Sequence, residues 1–258
     1  MIRGAAVSTY LAPSHRPVTV ARILRAVKPP RDHRAFDAPE VFGHDAIARI
    51  AHALPPLERV YALVRFSILR PKLLSVMDLL LPDEGDILDV GCGFGLFASY
   101  FGQMQPGRRI VGVDPNARRI ELARRVATAV GLEGPCAPRF FVGDVRDAAL
   151  TGPFRGIYVL DVMHHIPEAD QVAVFCRFRD LLVPGGVLII KDITTEPHYQ
   201  LLFTKLLDRL MVGMEEPLAY RHHRDWGELL ASIGFKVRMV RVPDVLPYPH
   251  VVIAATRG

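Results

Sequence analysis

The sequence predicts an α/β protein built on a doubly wound, mostly parallel sheet, and three observations carry that prediction. Strand-like apolar runs alternate with helical stretches from residue 87 onward. Several of those runs, such as 87–90, 156–160 and 187–191, are nearly continuous in apolar residues rather than alternating, as expected of strands covered by helices on both faces. The first run ends in the glycine-rich turn Gly91-Cys92-Gly93-Phe94-Gly95 and feeds directly into a helical pattern.

The elements follow in order. Strands are predicted over 87–90, 109–113, 139–142, 156–160 and 187–191, with helices over 94–104, 116–130 and 169–182 between them. A helix over 225–232 leads, through Gly234 as a stop, to strands over 235–242 and 251–256. The connection 243–250 is too short for a helical crossover, so the last two strands must form an antiparallel hairpin. Before the sheet, residues 45–54 and 57–81 repeat apolar residues at helical spacing, with Pro55-Pro56 between them and Pro71 breaking the second stretch. The domain reading is therefore a basic extension over 1–43, N-terminal helices over 44–84 that cover the site, and a sheet domain over 85–258. Within that domain, 192–224 is a long helical insertion after strand 5, positioned to cover a substrate.

Composition excludes several function classes. Of 258 residues, half are hydrophobic and 23% are charged, the balance of a packed globular domain. No uncharged apolar run reaches the length of a membrane span. The formal charge of +5 arises in residues 1–34, where seven Lys/Arg face Asp32 alone. That segment carries +6 and the remaining 224 residues carry −1. A nucleic-acid groove needs a basic stripe on the folded body, so nucleic acid is disfavoured as a partner. The basic start reads as a polar extension, a transit-like peptide or an arm for an anionic partner. Cys92, Cys136 and Cys176 have no CxxC spacing, which leaves no cysteine zinc site and no disulfide framework and points to a reducing, cytoplasmic location. No metal is expected, and the sequence sets no oligomeric state.

The chemistry sits at strand ends. Glycines 91 and 93 allow a ligand to lie on the backbone, beside a helix start that offers unpaired N–H groups. Asp114 ends the second strand, 23 residues after Gly91, where a carboxylate can accept both hydroxyls of a ribose. Asp144 follows the third strand, suited to the exocyclic amine of adenine, and Asp161 ends the fourth. Ligands of open α/β sheets bind outside the carboxyl ends of the strands, so these positions describe one pocket. Each Asp taken alone is equally a helix cap.

Residues 85–258 resemble the class I S-adenosylmethionine-dependent methyltransferases. The resemblance rests on 89–95 (Asp-Val-Gly-Cys-Gly-Phe-Gly), Gly112-Val113-Asp114, Gly143-Asp144-Val145, Asp161 to Ile166, and 181–186 (Leu-Leu-Val-Pro-Gly-Gly). It implies a seven-stranded Rossmann-like sheet of order 3-2-1-4-5-7-6 with strand 7 antiparallel, and S-adenosylmethionine as cofactor with S-adenosylhomocysteine as product. By the same resemblance Asp89, Gly91, Cys92, Gly93, Asp114, Pro115, Asp144, Val145 and Asp161 line the cofactor, with Asp114 on the ribose and Asp144 and Val145 at the adenine. The reaction implied is in-line methyl transfer to a small-molecule acceptor, read as a hydroxyl of a moderately apolar metabolite. N- or C-methylation, a protein or RNA acceptor, and a binding module without turnover are the alternatives.

A base is needed only when the nucleophile is protonated at neutral pH. Asp161 and His165 stand four residues apart after the fourth strand, where phosphoethanolamine methyltransferases place an Asp and a His, so His165 is the candidate base and Asp161 its orienter. The rest of that signature is absent here, and a helix start after the strand accounts equally well for the histidines. His164, His198, Tyr199, His222 and His223 are the substrate-contact candidates. Arg65 and Arg70, in the N-terminal helices, either face an anionic acceptor or lipid headgroups at a membrane surface, or extend into water while the helix packs on the sheet.

Overall fold

The computed structural model describes residues 40–69, 71–146, 149–193, 195, 221–240 and 250–258. Among the described residues three helices precede the sheet: α1 (Glu40–His52), α2 (Pro56–Ile68) and α3 (Pro71–Leu80). Proline at the first position of α2 and of α3 places the breaks, because it cannot donate within a helix but is pre-organised to start one. The first helix starts at Glu40, inside the segment expected to be extension.

The sheet strands are β1 (Gly85–Val90), β2 (Arg108–Asp114), β3 (Arg139–Val142), β4 (Phe154–Leu160), β5 (Leu182–Ile193), β6 (Phe235–Val240) and β7 (His250–Arg257). Between them lie α4 (Leu96–Met104), α5 (Ala117–Ala129), α6 (Glu168–Leu181) and α7 (His223–Ser232). The strands are ordered β3-β2-β1-β4-β5-β7-β6. All neighbours run parallel except β7, which is antiparallel to both β5 and β6. This is the sheet of the class I methyltransferases, with the terminal hairpin that the short 243–250 connection required.

Strand β5 is longer than the apolar run 187–191 suggests. Phe154 pairs with Leu182 and Gly156 with Val187, so residues 183–186 bulge out of register around Gly185. At its other end β5 continues through Lys191, Asp192 and Ile193, taking in the first residues of the segment read as an insertion. Residues 196–220 of that segment, with Arg70, lie outside the described residues.

The two faces of the sheet have separate cores. Ile87, Ile110, Tyr158 and Ile189 pack with α1 to α5, whereas Leu88, Val111, Ile157 and Ile190 pack with α6 and α7, where Trp226 meets Phe175 edge-on at 5.5 Å. Odd residues of β1 and β5 thus face the N-terminal helices and even ones the opposite layer. The buried guanidinium of Arg108 ties α3 to the start of β2: it donates to Pro82 O at 2.8 Å and to Asp78 O at 3.0 Å, and pairs with the Asp78 carboxylate.

Candidate functional site

The carboxyl ends of β1, β2 and β4 meet at the glycine-rich turn. Gly91 N donates to Val113 O at 2.8 Å and Cys92 N to the same carbonyl at 3.0 Å, which carries the chain off β1 and over β2. Gly91 has φ +70°, and a Cβ there would stand 2.4 Å from Val162 Cγ2. Only glycine fits both the conformation and the space. Gly93, at φ +53°, has nothing within 4 Å of where a Cβ would stand, so its backbone is open to a ligand.

Asp114 organises this turn. It is 3% exposed. Its Oδ2 accepts from Gly93 N at 3.0 Å and its Oδ1 from Asn116 N at 2.9 Å. Asn116 in turn caps α5 through Arg119 N at 3.1 Å. One carboxylate therefore fixes the ligand loop and the next helix start together. Each oxygen keeps acceptor capacity for a second donor. Pro115, beside it, is exposed.

Asp89 lies on the same face as Asp114, in register with Gly112 on one side and Tyr158 on the other. Its Oδ2 is buried, and the buried Tyr158 hydroxyl lies close enough to interact with the carboxyl without a well-formed hydrogen bond. Burial raises the Asp89 carboxyl to about 8, opposed by the Tyr158 hydroxyl and helped by the charge of Asp114. The native state therefore keeps this proton over a range where the unfolded chain, titrating near pH 4, has lost it. The contribution of Asp89 to stability then falls as pH rises from about 4 to about 8 and levels off beyond. Asp89→Asn removes this term. In urea titrations the variant is expected to gain on the native sequence by about 1.4 kcal/mol per pH unit between pH 5 and 8; a constant difference across that range would refute the shift.

At the third strand, Asp144 is held by its own neighbour. Arg146 donates from its backbone N at 2.8 Å and from Nε at 3.0 Å to Oδ1, and from a terminal nitrogen at 2.8 Å to Oδ2, before reaching Asp170 at 3.1 Å. The guanidinium holds the Asp144 carboxyl below its ordinary range. Sequence reasoning missed Arg146, although a cation two residues after a carboxylate is a readable signal. Val145 beside it is buried.

Asp161 departs most from expectation. It has φ +53°, uncommon for a residue with a side chain, and its N–H donates to Lys191 O at 2.8 Å. Its carboxylate sits between two cations: Lys191 Nζ donates to Oδ1, and Arg65 of α2 approaches Oδ2 at 3.0 Å. Lys191 is 1% exposed, and burial lowers its pKa against the pull of Asp161. The side chain of Arg65 is only 15% exposed, so the reading that leaves it in water is corrected: it crosses to the sheet and lies over Phe97. Tyr61, one turn earlier on α2, meets Phe94 of the glycine-rich turn edge-on at 5.4 Å. The N-terminal helices thus touch the turn and the end of β4.

The expected pairing of Asp161 as orienter of His165 is not the histidine–carboxylate pair that the fold builds most tightly. That pair is His164 Nδ1 with Asp192 Oδ1, 2.6 Å apart and 2% and 1% exposed. His165 is half-buried, its ring 4.2 Å from that of His164. His222 caps α7, its Nδ1 accepting from Arg224 N at 3.2 Å, with His223 stacked beside it. His198 and Tyr199 lie outside the described residues. Among the described residues no cluster of three or more metal-ligating side chains occurs, and no helix is long and apolar enough to cross a membrane.

A family model described as a methyltransferase domain matches residues 63–240, from α2 through β6. The chain belongs to the methyltransferase domain family. A ubiquinone biosynthesis O-methyltransferase of Dinoroseobacter shibae is 30% identical over 146 residues, covering 56% of this chain and 53% of the relative. A probable methyltransferase of Aspergillus luteorubrus is 30% identical over 132 residues, 49% of this chain and 46% of that one. This methyltransferase-family chain matches about half the length of those curated relatives. Among solved structures, the S-adenosylmethionine-dependent methyltransferase SibL aligns with a TM-score of 0.63 at 19% identity, covering 92% of this chain and 74% of its own. The magnesium protoporphyrin IX methyltransferase of Synechocystis, with bound S-adenosylhomocysteine, gives 0.60 at 20%, covering 88% and 100%. These likenesses concern the fold.

Proposed function

We propose that the protein transfers a methyl group from S-adenosylmethionine to a hydroxyl of a moderately apolar small molecule, releasing S-adenosylhomocysteine. The observation that carries this is Asp114, whose buried carboxylate holds the open backbone of Gly93 at the carboxyl edge of the sheet. The cofactor fits the residues present: open glycine backbone for the methionine part and acceptor capacity on Asp114 for the ribose. Asp144 and Val145 lie beside Asp114 for the adenine, with Gly143 N donating to Asp114 O at 3.1 Å.

When bound, the cofactor supplies an activated methyl on a sulfonium. The protein's tasks are to align the acceptor oxygen, exclude water and take the hydroxyl proton. His165 takes that proton, since it is the half-buried imidazole on the turn that follows β4. Tyr61 and Arg65 bring α2 over this edge and shield it. The ubiquinone-biosynthesis relative acts on oxygen, which supports a hydroxyl acceptor.

Calorimetry with S-adenosylmethionine, S-adenosylhomocysteine and, as control, NAD tests the cofactor. Binding of the two sulfur nucleotides alone is expected, and NAD binding in their place would overturn the reading. With a hydroxyl acceptor identified by radiolabelled methyl transfer, His165→Ala is expected to slow transfer by about 10²- to 10⁴-fold with the affinity for S-adenosylhomocysteine unchanged. Undiminished turnover would remove His165 from the reaction.

A further inference from the structure

The last charged residues of β5 grip the turn after β4 from both faces of the sheet. Lys191 continues the row of Val187 and Ile189, on the side of the N-terminal helices, and holds the Asp161 carboxylate there. Asp192 continues the row of Leu188 and Ile190, on the side of α6 and α7, and meets His164. Between these two points runs the chain from Asp161 to His165, tethered further by Asp161 N to Lys191 O at 2.8 Å and by Gln171 Nε2 to Ile166 O at 3.0 Å.

Asp192 Oδ1 accepts from Ile193 N at 2.7 Å as well as meeting His164 Nδ1 at 2.6 Å, so its own position is fixed by the strand. A carboxylate only accepts, so Nδ1 of His164 carries a proton and both the tautomer and the plane of that ring are set. The ring, 2% exposed, cannot itself serve an acceptor molecule, but it lies 4.2 Å from the ring of His165 at an interplanar angle of 43°. Stability alone is a weak reason to bury such a pair, because apolar side chains of similar volume do as well or better.

We propose that Asp192 and His164 form a positioning pair that sets the ring of His165 at the acceptor side of the site. The proposal rests on the reading of His165 as the proton acceptor in methyl transfer. Neither residue of the pair touches the reacting atoms, so their effect passes through His165. That ring lies against His164, itself paired with Asp192; the other charged groups on the segments flanking it in sequence are Asp161, held by Lys191 and Arg65, and Glu168 at the start of α6, paired with Arg221 at 2.6 Å.

The test is a pH titration by NMR of the full chain labelled at histidine nitrogen, comparing the native sequence with Asp192→Asn, which keeps the shape, and with His164→Phe, which removes the ring nitrogens. In the native protein His164 is expected to show one tautomer, protonated at Nδ1, with a slowly exchanging proton. In Asp192→Asn that protection is expected to fall and the midpoint of His165 to move by about half a pH unit or more, as the neighbouring charge changes. A downward move means that the carboxylate stood beside a neutral His164, an upward move that it held an imidazolium; either shows the coupling. In His164→Phe the midpoint is again expected to move. A native His165 midpoint kept within 0.1 unit (about the precision of such titrations, against shifts of about one unit for a nearby charge) in either folded variant would overturn the proposal. Should one variant fail to fold, the other decides. Calorimetry with S-adenosylhomocysteine on the same samples keeps the two ideas apart: lost binding in the native protein sinks the methyltransferase reading, whereas the titration decides the coupling in either case.

Discussion

Replacing Asp161 with alanine is expected to lower the unfolding free energy by about 3–5 kcal/mol, the range for removing one partner of a buried ion pair. The cost comes less from the lost attraction than from what remains. Lys191 is 1% exposed and the guanidinium of Arg65 is 15% exposed, so the substitution leaves two cations facing each other with no anion between them. Burial already lowers the Lys191 pKa, and without Asp161 it falls further. A lysine with a lowered folded value loses stability as pH falls, since the unfolded chain then binds a proton that the native state resists. The deficit of the variant is therefore expected to be larger at pH 7 than at pH 9. Guanidinium titrations at both values measure it. Adding Lys191→Met to Asp161→Ala is expected to recover much of the loss, because an apolar chain of similar length replaces the stranded charge. Arg65→Ala is expected to cost less than Asp161→Ala, since the carboxylate keeps Lys191 and the lost guanidinium is partly solvated. If Asp161→Ala proves as stable as the native chain at both values, the buried triad does not exist as described.

This triad also shows where the sequence was legible and where it was not. The alternation of strands and helices, the ligand turn and the terminal hairpin could be read because they depend on local signals: apolar runs of strand length, glycines where φ is positive, and a connection too short for a crossover; the order of the strands came from the family resemblance. The partner of a side chain is a different matter. Asp161 and His165 suggest a pair because they are four residues apart, whereas the pairing of His164 with Asp192, 28 residues further on, has no such local signal. Lys191 closes the predicted strand 187–191 and Asp192 opens the segment read as an insertion; the available signal was two opposite charges ending an apolar run. Helix α2 shows the same limit in another way. Its apolar residues Leu57, Val60 and Leu63 suggest a buried face, but these are exposed, while Glu58, Ala62 and Phe66 face inward. Glu58 is tolerated there because Arg118 of α5 reaches it at 2.5 Å. Helical period gives a stripe, and only the packing partner decides which stripe is covered.

Loss of cofactor binding is the expected result of Asp114→Ala. Both carboxylate oxygens already hold the backbone of the site, at Gly93 N and Asn116 N, so alanine removes the acceptor for a bound ribose and releases the loop that presents it. Hydrogen bonds to a charged acceptor contribute about 1.5–3 kcal/mol each. Two of them lost from a ribose correspond to roughly 10²- to 10⁴-fold in affinity. Asp114→Asn separates the two roles. An amide offers one accepting oxygen, and its NH₂ must then face either Gly93 N–H or Asn116 N–H, donor against donor. The asparagine variant is therefore expected to bind nearly as poorly as the alanine variant even though it fills the same space. Calorimetry with S-adenosylhomocysteine, alongside thermal melts to establish that each variant is folded, reads both. Affinity within threefold of the native protein in a folded Asp114→Ala variant would mean that the ligand does not lie at the end of β2, and the pocket would have to be sought elsewhere along the sheet edge. A loss in alanine with retention in asparagine would instead mean that one accepting oxygen at this position is enough for both the turn and the ligand.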